Sequence, residues 1–159
     1  MAEASPEWLN RRHKEINRKG LNDNMENKND EQNQWCFACG QLNPCGLKLE
    51  FEEHDEIYIS HFTGAAQHQG YDGILHGGII STLLDEIMAR HIYAKGLNAV
   101  TARLEVRFLK PTPIGVPLLI KGHIAKNRGR VYETTGSIEL PDGTITAEGT
   151  AKVFVTDPT

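Results

Sequence analysis

The residues best suited to chemistry lie close together in the middle of the chain, in the segment GYDGILHGGIISTLLDEIMARHIY, residues 70–93. After the triplet His76-Gly77-Gly78, apolar residues recur with the spacing of one helical face. Asp85 stands within that apolar run. A carboxylate in such a place has to be paired, hydrated in a cleft or used in a reaction. The sequence therefore predicts a long helix that carries a candidate acid or base near its centre.

The two glycines predict a second chemical group at the start of this helix. Each of Gly77 and Gly78 costs roughly 1 kcal/mol of helix propensity relative to alanine, unless its backbone must approach another group closely. The first turn of a helix has unpaired N–H groups and the positive end of the helix dipole. Such a turn suits a ligand that carries or develops negative charge.

Glu86 follows Asp85 directly, but the two carboxylates are not expected to act as a paired acid and base. Adjacent helix positions point about 100 degrees apart, so the side chains diverge. We expect Glu86 to reach a basic group such as Arg90, four residues later.

Length and charge limit the classes of protein to consider. With 159 residues, the chain is long enough for one core of ordinary size and too short for two. The net charge of -4 gives no electrostatic case for binding nucleic acid or an acidic membrane. The sequence has no apolar run long enough to span a bilayer and no secretory pattern at its start. We therefore expect a cytoplasmic protein.

A polar N-terminal extension, residues 1–34, precedes the expected folded domain, residues 35–159. Ser5 and Pro6 are typical of a helix start, and we predict a short helix from Pro6 to about Lys19, followed by a loosely ordered segment. Basic residues in this helix could suggest nucleic acid, but acidic residues interrupt them and no set of aromatic residues follows. A solvated or docking helix is the preferred interpretation.

All three cysteines lie in WCFACGQLNPCGLKLEF, residues 35–51, with the spacing C-x2-C-x5-C. A structural zinc site needs four ligands, and the fourth would have to come from a distant histidine such as His54 or His61. A disulfide is disfavoured by the cytoplasmic expectation and by the odd number of cysteines. We favour a packing role and expect no metal site. The Asn43-Pro44 turn would then lead into a first strand with Leu47 and Leu49 inward and Lys48 outward.

The remaining sequence predicts strands around the helix. A short strand is expected over residues 56–62, and the clearest strand covers residues 99–110, with Val100, Leu104 and Phe108 on one face and Thr101 on the other. Three more strands, over residues 116–125, 131–140 and 145–155, are separated by two hairpin turns. The expected class is α+β, an antiparallel β-sheet wrapped around one long central helix.

These residues resemble the hotdog-fold acyl-CoA thioesterases of the phenylacetate-degradation and 4-hydroxybenzoyl-CoA type. The resemblance rests on three motifs and covers about residues 35–155. The motifs are His76-Gly77-Gly78 with Asp85-Glu86 on the same helix, the segment from Cys36 through Asn43-Pro44 to Leu47, and Lys110-Pro111. It implies a hotdog fold and an acyl-CoA substrate, with coenzyme A as part of the substrate and no other cofactor.

The resemblance also implies a mechanism. In the family, the N–H matching Gly77 polarises the thioester carbonyl, and the acid matching Asp85 is the nucleophile or the general base for water. The two residues are eight positions apart on one helix, which is roughly 12 Å. Both groups must meet one carbonyl at about 3 Å, so one chain cannot supply both. The resemblance therefore implies an obligate homodimer, or a dimer of dimers, with each site shared between two subunits.

Further residues match the family's site. His76 matches the motif histidine, which mainly fixes the turn. Thr101 matches a Ser or Thr that helps hold the attacking water, although a plain strand threonine is an equal alternative. In some subgroups an Asn precedes the motif by about six residues, and here that position is Gly70. His68 or Gln69 could then supply the missing polar contact, unless His68 is only a surface histidine.

The expected contacts to coenzyme A lie outside the helix as well as at its start. Gly78 belongs to the turn that faces the substrate. Lys110, Arg128 and Arg130 are candidate partners for phosphates, since Arg and Lys near a turn favour charge-assisted contacts. The alternative is that these three are ordinary solvated turn residues.

The expected function is hydrolysis of an acyl or arylacyl thioester by an acyl-CoA thioesterase. A second hypothesis is a non-catalytic acyl-CoA-binding or regulatory hotdog protein, for which Asp85 would have no evident use. A third is a hotdog dehydratase or hydratase, which would ordinarily need a catalytic histidine at another place than His76. The sequence does not reveal the length of the acyl chain.

Overall fold

The computed structural model of the protein describes residues 33–156. The predicted helix from Pro6 to about Lys19 and almost all of the N-terminal extension lie outside these residues. The strands are β1 (Phe51–His54), β2 (Ile57–Thr63), β3 (Gln69–Tyr71), β4 (Ile74–Leu75), β5 (Ala99–Phe108), β6 (Pro117–Arg128), β7 (Val131–Glu139) and β8 (Ile145–Val155). The helix α1 spans Gly77–Tyr93, and a short 3-10 turn spans Ala66–His68.

The main sheet has six antiparallel strands in the order β1-β2-β6-β7-β8-β5. Helix α1 packs against β2, β5, β6, β7 and β8. The side chains of Leu83, Leu84, Ile87, Met88 and Ile92 on this helix are completely buried. The predicted α+β class is confirmed, and the architecture is the hotdog fold. No helix among the described residues is long and apolar enough to cross a membrane.

Three glycines let the helix approach the sheet closely. Gly122, Gly136 and Gly149 are direct partners across β6, β7 and β8 and form a column beneath α1. A Cβ on Gly122 would lie 2.8 Å from the carbonyl oxygen of Ile87, and a Cβ on Gly149 would lie 3.2 Å from the end of Met88. Helix backbone therefore lies almost directly on sheet backbone, which fixes the position of α1.

The first strand differs from its prediction. Leu47 and Leu49 are buried, but they lie before β1, and their N–H groups donate to the carbonyl oxygens of Phe37 and Ala38. Lys48 between them has a φ of 57°. Its ammonium donates to the carbonyl oxygens of Gly40, Gln41 and Asn43 instead of pointing into solvent. The prediction was wrong here because alternating apolar residues also fit a loop that folds back on itself.

The predicted alternation of β5 is also wrong in its first half. The pairing of β5 with β8 shifts between Thr101 and Arg103, which places a β-bulge at Ala102. The extra residue puts Thr101 on the same face as Leu104, so that Thr101 faces the helix while Val100 is exposed. Periodicity over the whole strand cannot reveal one extra residue in the middle.

Two smaller differences concern loops. The stretch before α1, predicted as a loop, contains the short antiparallel pair of β3 and β4. The hairpin turn predicted over residues 126–130 is tighter, because β6 continues to Arg128 and β7 begins at Val131. The last turn, between β7 and β8, lies where the sequence predicted it.

Candidate active site

The first turn of α1 presents an open hydrogen-bond donor. His76 is the N-cap, and its Nδ1 accepts the N–H of Gly78 at 2.8 Å. The carbonyl oxygen of His76 accepts the N–H of Ile80 at 3.1 Å. Within residues 33–156 the N–H of Gly77 makes no hydrogen bond. His76 thus orders the turn, and Gly77 at its start keeps its N–H available at the positive end of the helix.

Gly77 is half-buried beside the aromatic ring of Phe108 at the far end of β5. A Cβ on Gly77 would lie 3.4 Å from that ring. The ring itself is 56% exposed, so one side of the turn has an apolar wall that the described chain does not cover. The sequence pattern predicts Phe108 on β5 but no part for it in the site, and only its position at the strand end, opposite the helix start, could have indicated one.

Asp85 lies two helical turns further along and is half-buried. Its Oδ1 accepts the hydroxyl of Thr101 at 2.7 Å. This is a charge-assisted hydrogen bond, the stronger kind, and it fixes the direction of the carboxylate. Oδ2 makes no hydrogen bond to the rest of the described chain and can accept from an incoming molecule. The structure thus brings together two of the predicted site residues, Asp85 and Thr101.

The segment before the helix leaves little room for a further polar contact. His68 uses its Nδ1 to accept the N–H of Ala65 at 3.0 Å, and its ring packs against Phe62. Gln69 accepts the N–H of Gly73 at 3.1 Å through its side-chain oxygen. A Cβ on Gly70 would lie 3.1 Å from the His76 ring. His68 and Gln69 are therefore engaged in local turns, and position 70 is closely packed against the N-cap.

The three predicted phosphate partners do not lie together. Lys110 is exposed just beyond the end of β5, where its N–H donates to the carbonyl oxygen of Thr146. Arg128 and Arg130 are exposed at the turn between β6 and β7, near the opposite end of β5, where the carbonyl oxygen of Arg130 accepts from Val155. Since β5 has ten residues, the two groups are separated by roughly 30 Å along the strand.

Glu86 points away from Asp85, as predicted from helix geometry, but towards two cysteines. Its carboxylate oxygens lie 3.9 and 4.0 Å from the Cys36 thiol, and the Cys39 thiol is close by. Burial raises the pKa of Glu86, whereas the thiols of Cys39 and Cys36 and the charge of Arg90 lower it. Burial, together with Glu86, also raises the pKa of the Cys39 thiol. Nothing in the sequence spacing of Glu86 and the cysteines indicates this contact.

Comparison with known proteins shows which family this chain resembles. Residues 72–147 match the profile of the thioesterase superfamily. Acyl-coenzyme A thioesterase THEM4 from Mus musculus is 30% identical over 101 residues, which cover 63% of this chain and 44% of that protein. The match thus spans less than half of the mouse protein.

Solved structures share the fold over longer stretches. A hypothetical thioesterase protein from Streptococcus pneumoniae, crystallised with coenzyme A, has 26% identity and a TM-score of 0.64, with 68% of this chain and 85% of that chain covered. A second crystal structure, of a thioesterase superfamily protein, has 25% identity and a TM-score of 0.73, with 94% of this chain and 76% of that chain covered. The profile match and the shared fold show that the chain is similar to proteins of the thioesterase superfamily and has their hotdog fold.

Proposed function

We propose that the protein is an acyl-CoA thioesterase whose site combines Gly77 of one subunit with Asp85 and Thr101 of another. The observation that carries this proposal is the pair of groups on α1. Among residues 33–156, one is an N–H at the helix start with no acceptor, and the other is a carboxylate with one oxygen held by a hydroxyl and the second oxygen open. The N–H can donate a hydrogen bond to an oxyanion, and the carboxylate can take a proton from water or attack a carbonyl carbon.

In the general-base form of the reaction, Asp85 takes a proton from water while the water oxygen attacks the thioester carbon. Negative charge develops on the carbonyl oxygen, and the Gly77 N–H at the positive end of the helix donates a hydrogen bond to that oxygen. The C–S bond then breaks, and the coenzyme A thiolate receives the proton from Asp85. In the nucleophilic form, Asp85 attacks the carbon itself, the C–S bond breaks and the coenzyme A thiolate leaves, which gives a mixed anhydride. Water then hydrolyses the anhydride to the free acid and the Asp85 carboxylate, and the proton that water releases goes to the thiolate.

The shared site requires a dimer, and β5 offers the edge for it. Strand β5 pairs with β8 on one side and is the last strand of the described sheet on the other. Its exposed apolar side chains include Val100 and Phe108. An unpaired edge of ten residues with apolar side chains is a ready template for another strand.

Antiparallel pairing of two β5 strands would complete the site. Because Gly77 lies beside Phe108 and Asp85 beside Thr101, the two halves of the site lie at opposite ends of β5. A two-fold axis near Leu104 would bring the Phe108 end of one subunit opposite the Thr101 end of its partner. The same operation would bring the Lys110 end towards the turn that carries Arg128 and Arg130, so that these cations could share one coenzyme A.

The related proteins support this proposal. Two variants of a hypothetical thioesterase protein from S. pneumoniae have been crystallised, one with an aspartate replaced by alanine and the other with a threonine replaced by alanine. The replaced positions are 16 residues apart, as Asp85 and Thr101 are here. Coenzyme A in the streptococcal complex and the mouse protein's name as an acyl-coenzyme A thioesterase support the same class of substrate.

The first experiment is hydrolysis of short, medium, long and aromatic acyl-CoAs, with release of free thiol as the readout. We expect turnover by the native protein and a loss of at least about 100-fold in Asp85→Asn, because a positioned base contributes that much or more. Asp55→Asn is the matched control, since Asp55 is exposed in a turn and Asn tolerates its φ of 47°. Equal activity in Asp85→Asn and Asp55→Asn would refute the role of Asp85.

A mixing experiment tests the shared site. Gly77→Pro removes the N–H, and proline fits the first helical position after an extended N-cap. Neither Gly77→Pro nor Asp85→Asn should be active alone, but an equal mixture, exchanged through mild denaturant, should recover about a quarter of native activity. No recovery, with mixed dimers demonstrated by mass spectrometry, would place both groups in one chain.

The hypothesis of a non-catalytic binder gives a different result in these assays. Tight acyl-CoA binding without turnover on any substrate would favour it over hydrolysis.

A further inference from the structure

The residues Cys36, Cys39 and Glu86 form a cluster that the proposed hydrolysis does not use. Their thiol and carboxylate atoms all lie within 4.8 Å of one another. Two come from the loop before β1 and one from the middle of α1, so the cluster joins parts of the chain that are 50 positions apart. We propose that this cluster is a zinc site, in which two thiolates and one carboxylate bind Zn²⁺ and one position is open to water.

The ligand types and distances suit zinc. Zn²⁺ takes thiolates at about 2.3 Å and carboxylate oxygens at about 2.0–2.2 Å, so tetrahedral ligand atoms lie roughly 3.5–3.8 Å apart. The Glu86 oxygens already lie 3.9 and 4.0 Å from the Cys36 sulfur. If the distances between the three ligand atoms shortened by about 1 Å or less, all three atoms could bind one Zn²⁺ ion.

The loop holds its two cysteines in advance. The N–H of Gly40 donates to the carbonyl oxygen of Cys36 at 2.9 Å, which closes the turn between the thiols. A Cβ at Gly40 would lie 2.4 Å from the carbonyl oxygen of Gln34, so only glycine fits. Lys48 donates to three carbonyl oxygens of the next turn. The C-x2-C pair thus has the spacing of zinc ligands and a backbone that is already ordered.

The local charges also favour a dication. Two thiolates and one carboxylate would carry three negative charges, and the positive charge of Arg90 acts on both Cys39 and Glu86. With Zn²⁺ bound, these charges and Arg90 would sum to zero. Without metal, the half-buried Glu86 carboxylate faces two thiols whose weak S–H groups are poor donors. Zinc would replace the two thiol protons, which are released to solvent on binding.

The sequence predicts no metal site, because a fourth ligand would have to be a distant histidine. The structure offers Glu86 as a third protein ligand instead, and three protein ligands with one open position are a known form of zinc site. The proposal does not depend on thioesterase activity. It concerns the connection between the cysteine loop and the helix.

The test uses the tag-free full-length protein, reduced and stripped of metal with a chelator, and Co²⁺ as the spectroscopic probe for Zn²⁺. We expect one equivalent of Co²⁺ to bind with intense tetrahedral visible bands and thiolate-to-metal absorption in the near ultraviolet. One equivalent of Zn²⁺ should abolish both. Cys36→Ser and Cys39→Ser should lose the thiolate absorption, whereas Cys45→Ser, which replaces an exposed cysteine outside the cluster, should keep it.

Glu86→Gln tests the third ligand with nearly unchanged side-chain shape. Loss of a residue that only hydrogen-bonds to a metal ligand lowers metal affinity roughly 10-fold or more. Because Glu86 would bind the metal directly, we expect at least this loss of Zn²⁺ affinity, measured by competition with a coloured chelator. Circular dichroism of each metal-free variant shows whether it is folded. The absence of stoichiometric Co²⁺ binding by the folded native protein, or equal binding by Cys36→Ser, would overturn the proposal.

Discussion

The hydrogen bond between Thr101 and Asp85 allows a quantitative test of the proposed site. Thr101→Val removes the hydroxyl that donates to Asp85 Oδ1 at 2.7 Å and keeps the branched shape of the side chain. A hydrogen bond to a charged group contributes about 1.5–3 kcal/mol. If the bond orients Asp85 in the transition state, its full loss corresponds to a roughly 10- to 150-fold lower kcat.

The assay is steady-state hydrolysis of the best acyl-CoA substrate, with kcat and KM determined separately. KM should change little, because Thr101 contacts Asp85 and not the substrate. Thr101→Ser keeps the hydroxyl and should retain most of the native kcat. A native kcat in Thr101→Val, or a Thr101→Ser variant as slow as Thr101→Val, would exclude this role of the Thr101 hydroxyl.

Two further predictions concern stability. Gly122→Ala would place a Cβ 2.8 Å from the carbonyl oxygen of Ile87, so we expect the free energy of unfolding, measured in urea, to fall by about 1–3 kcal/mol. Gly136→Ala, whose closest contact would be 3.2 Å, should cause a smaller loss. Equal losses in the two variants would contradict this explanation. Burial and, to a lesser extent, the charge of Lys95 lower the pKa of His91 in the folded protein below its ordinary value of 6.5. Below pH 6.5 the unfolded chain therefore binds more protons than the folded protein, and the midpoint of urea unfolding should fall as the pH drops. His91→Phe should flatten this dependence, and an unchanged slope would exclude His91 as its cause.

Much of the fold could be predicted from the sequence because its helix and sheet patterns are strong. Helix α1 begins at Gly77, where the glycine pair and the apolar spacing predict it, and its apolar face is the core. The strands after it follow in the expected order, since hairpin turns and alternating residues define each one locally. These features depend on neighbouring residues, which is the information that periodicity contains.

The errors arose where distant residues decide the conformation. Leu47 and Leu49 alternate like a strand, but their backbone partners are the carbonyl oxygens of a loop ten residues earlier. The bulge at Ala102 is set by pairing with β8, about 50 residues later, and no local signal marks it. The position of Glu86 beside the cysteines likewise depends on tertiary packing.

The bulge at Ala102 makes the proposed site sensitive to the length of β5. In a regular strand, inserting or deleting one residue reverses the facing of all residues on one side of the change. Here the site depends on such a change, because Thr101 faces the helix only with the extra residue present. The extra residue that follows Thr101 is therefore as necessary to the proposed site as the acid and the hydroxyl themselves. A single-codon deletion at Ala102 would separate Asp85 from Thr101 without altering either side chain.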